Sequence, residues 1–401
     1  MSRTCALVHP GQSCSTPRDV ALDDQPSGGP SPSWSSPFAV PQRLQVLATR
    51  ARYPCQADAL MPSPTDDLVQ ELLLASGAVT NRDLLRDILR SAVGLAGDTA
   101  DRLDLKITAA ALKEMRAAFA LFTPLQDTPK VTIFGSARTR SDDPLYAQAR
   151  SLASHLATAG WMVITGAGPG IMAAGAEGAG PDQAIGVSIR LPFEERPSDV
   201  LAGGDRVVAM KYFFTRKLML MKESSAFVCL PGGFGTQDET FELLTLLQTG
   251  KASPAPVVLL DVPGGTYWTR WAEFVDLELV QTGFASPTDH DLFLLTDDVT
   301  DAVTEIEAFW RSYHSIRWAG DVLVVRLRHQ PTEADLALLN DRFGDLLLGG
   351  RIERSEPMAA EVADRDHLDL PRLAMRYDPR KAGRLRSLID AINALESAAG
   401  P

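Results

Sequence analysis

Four cysteines in 401 residues are too few and too scattered for a disulfide framework. Cys5, Cys14, Cys55 and Cys229 are expected to be reduced thiols of a cytoplasmic protein. The six histidines, His9, His155, His290, His314, His329 and His367, form no H-x-H or HExxH pattern, so neither a metal site nor a metal cofactor is expected. No apolar run approaches the roughly 20 residues that span a bilayer. The N-terminal residues lack the apolar stretch of a secretory signal. Positive charge is also scarce, with 39 Lys and Arg against 51 Asp and Glu and a net charge of −12. That balance argues against a general nucleic-acid or membrane-surface binder, although local cations can still serve one phosphate.

What is present is the composition of a globular protein, 45% hydrophobic and 22% charged, with length for one large or two modest domains. Residues 1–62 are rich in Pro, Ser, Gly and Gln and hold neither a 2-residue nor a 3.6-residue period, so they read as a disordered leader. A helical extension is expected over 63–125. It carries apolar stripes at Leu68, Leu72 and Leu73, then at Leu84, Leu85 and Ile88 behind Asn81 as N-cap, then at Leu112, Met115 and Phe119. Core packing is favoured for these stripes over a dimer surface.

From Lys130 on, short apolar runs alternate with helical patterns. Runs at 131–134, 161–165, 184–191, 226–230 and 254–261 predict an α/β fold, a Rossmann-like doubly wound parallel sheet, over 126–315. A closing helix is expected over 299–313. A small α+β domain is expected over 320–398. Its strands alternate apolar residues with Arg326, Arg328, Arg372 and Arg376, as a half-solvated sheet would.

The chain's chemistry concentrates at Leu230-Pro231-Gly232-Gly233-Phe234-Gly235-Thr236-Gln237-Asp238-Glu239, between a predicted strand and a predicted helix. Glycines there let the backbone approach an anion, and the helix points free N–H groups and its positive dipole end at the same spot. Glu239 is then the carboxylate placed for chemistry. Thr236-x-x-Glu239 is equally a capping box, and both readings stand at this point. Asp238 and Glu242 read as surface or capping charges. A second glycine loop runs Gly166-Ala-Gly168-Pro-Gly170-Ile-Met172. It lacks the G-x-G-x-x-G spacing, and no acidic residue ends the following strand at Ser188-Ile-Arg190, so a dinucleotide site is disfavoured against a mononucleotide or sugar-phosphate site. Arg216 and Lys217 fall near the start of another predicted helix, where cations oppose the dipole unless an anion is near. They are either a solvated pair or an anion grip. The aromatics of 264–271 are expected before a helix over 272–282, in the core or at an interface rather than stacked on a base.

In order, Phe134-Gly135-Ser136-Ala137-Arg138, Thr165-Gly-Ala-Gly-Pro-Gly-Ile-Met172, Phe214-Thr-Arg-Lys217 and Pro231-Gly-Gly-Phe-Gly-Thr-Gln-Asp-Glu239 resemble the "lonely guy" (LOG) family of nucleoside 5′-monophosphate phosphoribohydrolases. That family is often mislabelled lysine decarboxylase, and no lysine here has a recognisable pyridoxal-phosphate context. The resemblance covers about 130–282, in the style of the longer bacterial branch. It implies a homodimer or higher homo-oligomer that cleaves a nucleotide's N-glycosidic bond to free base and ribose 5-phosphate. It places the essential pair on Arg216 and Glu239 and the phosphate contacts on Gly232, Gly233, Gly235 and Thr236. Gly135, Ser136, Arg138, Gly166, Gly168, Gly170, Met172 and Lys217 complete the implied substrate site. The family often has Gly where Ala167 stands, and Glu and Asn where Ala173 and Ala176 stand, so its base and ribose recognition does not carry over with the rest. A non-catalytic nucleotide or cofactor carrier of the same fold is the alternative. It would need the phosphate loop but not the Arg216–Glu239 pair.

Overall fold

The structure is a computed structural model that describes residues 64–190, 200–201 and 204–399. The leader expected over 1–62, with Cys5, Cys14, Cys55 and His9, lies outside the described residues, as does Leu191. Two compact units divide after Ala92. In the first, α1 (Pro64–Ala75) buries Val69 and Leu73, and Asp66 pairs with Arg90 of α2 (Arg82–Gly97) at 2.7 Å. The expected core role fails for α2. It has no buried residue, and Leu84 and Ile88 stand exposed. Leu68, Leu72, Leu112 and Phe119 of the neighbouring stripes are exposed as well.

The second unit opens with α3 (Arg102–Phe122), started by an Asp101–Asp104 capping box. Seven parallel strands follow, in the spatial order β4-β3-β2-β1-β5-β6-β7. They are β1 (Lys130–Phe134), β2 (Met162–Thr165), β3 (Ala184–Ile189), β4 (Val207–Met210), β5 (Ala226–Cys229), β6 (Val257–Leu260) and β7 (Leu294–Thr296). Side chains alternate between the two faces of a strand, and every residue of β1, β2, β5 and β6 is buried, so helices must cover both faces. On one face Val131 and Ile133 pack with Leu152 and Leu156 of α4 (Pro144–Thr158) and Ile306 of α9 (Val299–Phe309). On the other, Phe134 and Ile164 pack with Met219 of α6 (Phe213–Lys222), Leu243 of α7 (Phe234–Gln248) and Trp268 of α8 (Tyr267–Phe274). Glu114 of α3 fastens this layer, accepting from the Lys211 amide at 2.9 Å and from the Thr215 hydroxyl at 2.6 Å.

Strand β4 was not expected from the sequence, because as the edge strand it is only partly buried and lacks the continuous apolar run of the inner strands. Helix α8 starts earlier than the sequence suggested, so its aromatics are in the helix. Trp268 and Trp271 are buried core, and Val275–Val280 continues as a π-helical turn. The helix expected to run to Tyr313 ends at Phe309.

Tyr313 instead opens β8 (Tyr313–Ala319), a strand whose half-exposed, mixed-polarity residues hid its alternation. It makes a hairpin with β9 (Val322–Leu327), turning at Gly320, where φ is +66°. With β10 (Leu347–Arg354) and β11 (Arg372–Tyr377) these form an antiparallel sheet in the order β10-β11-β9-β8. Helices α10 (Glu333–Phe343), α11 (Ala359–Asp364) and α12 (Ala382–Asn393) accompany it. Its arginine face is solvated only in part, with Arg328 and Arg376 exposed. Arg326 and Arg372 are cross-strand neighbours and both are buried, because Glu361 of α11 caps them, accepting from Arg326 Nε at 2.8 Å.

Candidate active site

Strands β1 to β4 build the sheet in one direction and β5 to β7 in the other, so the order reverses between β1 and β5. Crevices in doubly wound sheets open beyond the carboxyl ends at such a reversal. A cleft of about 690 Å³ lies there, lined by the turns after β1 and β5. Its floor requires glycine. A Cβ at Gly232 would sit 2.1 Å from Thr236 Oγ1 and 3.0 Å from the Ser136 amide nitrogen. A Cβ at Gly135 would sit 2.6 Å from the Ile171 side chain. Gly233 and Gly235 differ, since nothing lies within 4 Å of where their Cβ atoms would be.

Helix α7 begins at Phe234, with Gly233 as N-cap and no side chain capping it. Its first amides therefore lack the usual side-chain acceptor, at a helix end that favours anions. This overturns the capping-box reading of Thr236 and Glu239. The glycine pair lets the helix start before Thr236, which is buried within its first turn instead of standing at its cap. Glu239 then lies deeper in the helix, 7% exposed, at the wall of the cleft. Burial pushes its carboxyl above the usual carboxylate range, against the pull of Arg216 and Lys217.

Arg216 comes from α6, and its Nε donates to the Val187 carbonyl at 3.0 Å. A Cβ at Gly166 would fall 2.0 Å from Arg216 Nη2, so this glycine exists to let the guanidinium lie against the loop. The same loop opens α5 (Ile171–Ala179). Gly170 is at φ +67°, where a Cβ would meet the Ser136 carbonyl at 2.3 Å, and a Cβ at Gly168 would press on Met172. Ala167, also at positive φ (+58°), occupies a conformation that glycine adopts with less strain.

The cleft thus brings together Gly135, Ser136, Arg138, Gly166, Met172, Arg216, Gly232, Gly233, Gly235, Thr236 and Glu239. Gly168 and Gly170 are not on its wall and serve the packing of the loop. Lys217 is not on the wall either. Its Nζ is held by Asp238 at 2.7 Å and by Glu242 at 2.6 Å, so those two carboxylates are its partners rather than idle surface charges. Burial disfavours that ammonium, but the two carboxylates outweigh it and raise its pKa. Lys217 reaches the site through its field, as one of the cations that act on Glu239.

Sequence reasoning missed the brace behind the 231–235 loop. The Tyr267 hydroxyl donates to the Gly232 carbonyl at 2.5 Å and accepts from Gln237 Nε2 at 2.7 Å. The Tyr267 amide in turn donates to the buried carboxylate of Asp261 at 2.9 Å. The available signal was an aspartate ending an apolar strand just before Gly264-Gly265.

A protein family described as possible lysine decarboxylase matches residues 169–306. A cytokinin riboside 5′-monophosphate phosphoribohydrolase of Arabidopsis thaliana is 36% identical over 94 residues, 23% of this chain and 42% of that protein. A second from the same plant is 35% identical over 103 residues, 26% of this chain and 46% of that protein. The chain thus spans less than half the length of these plant relatives. A cytokinin riboside 5′-monophosphate phosphoribohydrolase of Mycobacterium tuberculosis is 29% identical over 173 residues, 40% of this chain and 86% of that protein. Among solved structures, the molybdenum cofactor carrier protein of Chlamydomonas reinhardtii aligns with 45% of this chain and 96% of its own, at 23% identity and a TM-score of 0.32. The segment matched by the family model holds the arginine helix, the 231–235 loop and Glu239, and part of this chain is similar to phosphoribohydrolases of plants and of a bacterium.

Proposed function

We propose that the chain hydrolyses the N-glycosidic bond of a nucleoside 5′-monophosphate, an AMP-like or cytokinin riboside monophosphate, to free base and ribose 5-phosphate. The observation that carries this reading is the position of Glu239. It is a buried, cation-flanked carboxylate in the same cleft as the uncapped N-terminus of α7. A carrier needs the helix end but has no use for a carboxylate whose burial is poorly compensated.

The chemistry follows from charge. As the C1′–N bond breaks, its electron pair leaves with the base and positive charge grows on the ribose ring. The ionised Glu239 stabilises that charge and takes a proton from the water that adds to C1′. The proton taken by Glu239 passes to the departing nitrogen, so the water's two hydrogens end on the C1′ hydroxyl and on the base and Glu239 is again ionised. Arg216 holds the carboxylate's orientation and charge. The amides at the start of α7 hold the 5′-phosphate, so binding remote from the reacting bond positions the sugar. Exposed Phe214 and Leu218 on α6 support assembly into a homodimer or higher homo-oligomer.

The test is release of base and ribose 5-phosphate from a panel of nucleoside monophosphates, comparing the native chain with Glu239→Gln. Turnover by the native chain, abolished in the variant while nucleotide binding persists, supports the hydrolase. Binding of nucleotides without turnover by either protein would instead favour the carrier.

A further inference from the structure

Helix α6 turns one face to the cleft. Phe213, Arg216 and Leu220, spaced three and four residues apart, all line it, as neighbours on one side of a helix do. Leu220 is buried, whereas Phe213 is 51% exposed. The face therefore runs from a closed end to an open one, with the Arg216 guanidinium between. Phe213 and Asp238 also line a neighbouring hollow of about 470 Å³, so they form the ridge at which the cleft ends.

A large apolar ring left half in water forgoes the gain of burial. The next residue avoids that loss in part, since the Phe214 ring stacks on Tyr212 at 5.6 Å between centroids. Among the described residues no ring stacks on Phe213. The other apolar side chains of the cleft offer a flat ligand little surface, because Phe134, Ile189 and Leu220 are buried in the core. One further ring is open, Phe234 at 97% exposure. It is the first residue of α7, at the helix end that favours anions. Two exposed rings thus stand in the cleft, one beside the anion end and one beside Arg216.

We propose that the Phe213 ring is the surface on which the nucleotide's base stacks, an inference that rests on the nucleoside-monophosphate reading of the cleft. On that reading the phosphate sits at the start of α7 and C1′ sits by Glu239 and Arg216. The base is bonded to C1′, so it continues from Arg216 along the wall. Phe213 lies one turn from Arg216, about 4.5 Å along the axis at 1.5 Å rise per residue, and is the open apolar surface there. Stacking removes the ring and the base from water together and needs only a π-face, which every base has. Phe213 then holds the base while the groups around Glu239 act on the bond behind it.

The test is calorimetric titration of the full chain carrying Glu239→Gln, which prevents turnover, with AMP and with ribose 5-phosphate. Adding Phe213→Ala should weaken AMP about tenfold or more and leave ribose 5-phosphate within about twofold, since that compound has the phosphate and the sugar but no base. Phe213→Trp should keep AMP at the parent affinity or better, and its added indole emission should respond to AMP and not to ribose 5-phosphate. Phe234→Ala should change both ligands in the same proportion. Unchanged AMP binding in Phe213→Ala, equal losses of both ligands there, or a base-selective loss in Phe234→Ala instead would each overturn the proposal. The hydrolase reading fails separately, through AMP that binds the native chain without being cleaved, and that result leaves the stacking test intact. Absence of AMP binding would remove the nucleotide reading of the cleft and this inference with it.

Discussion

Two buried glutamates in this molecule face the same penalty and resolve it in opposite directions. Glu239 is 7% exposed and Glu361 is 0% exposed, and for both burial is the largest influence on the carboxyl. Glu361, beneath the arginine face of the small sheet, ends below the usual carboxylate range. Burial raises it, but the Met358 amide at 2.9 Å and the guanidinium of Arg326 at 2.7 Å outweigh burial, with Arg372 adding its charge. Glu239, in the cleft, ends above that range, because the cations Arg216 and Lys217 do not repay its burial. Saturating hydrogen bonds mark a structural charge. A poorly compensated charge beside a helix N-terminus and an open cleft is the pattern on which the proposed catalytic role rests.

The largest expected effect breaks the cleft half of this comparison. Glu239→Gln should lower kcat/KM about 10³-fold or more. Because the raised pKa means that the folded state disfavours the charge, the same variant should melt no lower than the native chain at neutral pH, and higher if the shift is large. A clear fall in Tm on calorimetry would show that Glu239 is structural after all. Glu361→Gln should do the reverse. It leaves two buried guanidiniums without their shared carboxylate, a loss of about 3 kcal/mol or more in unfolding free energy, with turnover at 25 °C retained by the molecules that remain folded.

The pH dependence sharpens the contrast. If Glu239 acts as proposed, turnover needs its ionised form and should be lost as pH falls through a pKa above the ordinary value of about 4.3. Stability owed to Glu361 is lost in the same direction but at lower pH. It is fully present above the ordinary glutamate pKa and lost only as pH falls through a lower one. Activity should therefore vanish on acidification before the small sheet unfolds, and coincidence of rate and circular-dichroism transitions would contradict this.

Smaller effects test the supports. Tyr267→Phe removes a brace from the Gly232 carbonyl and should raise KM for the nucleotide severalfold, about 1 kcal/mol, while kcat changes less. Lys217→Met removes one of the cations that hold Glu239 down, so the acid limb of the rate profile should move to higher pH with plateau kcat little changed. A rise in KM as the main effect would instead make Lys217 a phosphate ligand.

Much of the cleft was legible because its signals are local. Glycine-rich turns between a short apolar run and a helical pattern mark the strand–loop–helix units that line it. The alternation of such units declares a parallel sheet. What escaped depends on partners distant in sequence. Lys217 reads as an anion grip until Asp238 and Glu242 are seen to occupy it. Tyr267 reads as one aromatic among several until its hydroxyl is found on Gly232. Arg326 of β9 and Arg372 of β11 read as solvated until Glu361, 35 residues from Arg326 along the chain, covers them. By itself, then, the sequence determined the repeating strand–helix units, the glycines of the two loops and the carboxylate beside them, since each is set by neighbours within a few residues. Only the tertiary structure decided which charges are spent on one another and which are left exposed to a substrate, because that depends on desolvation and on hydrogen bonds between segments that the chain order keeps apart.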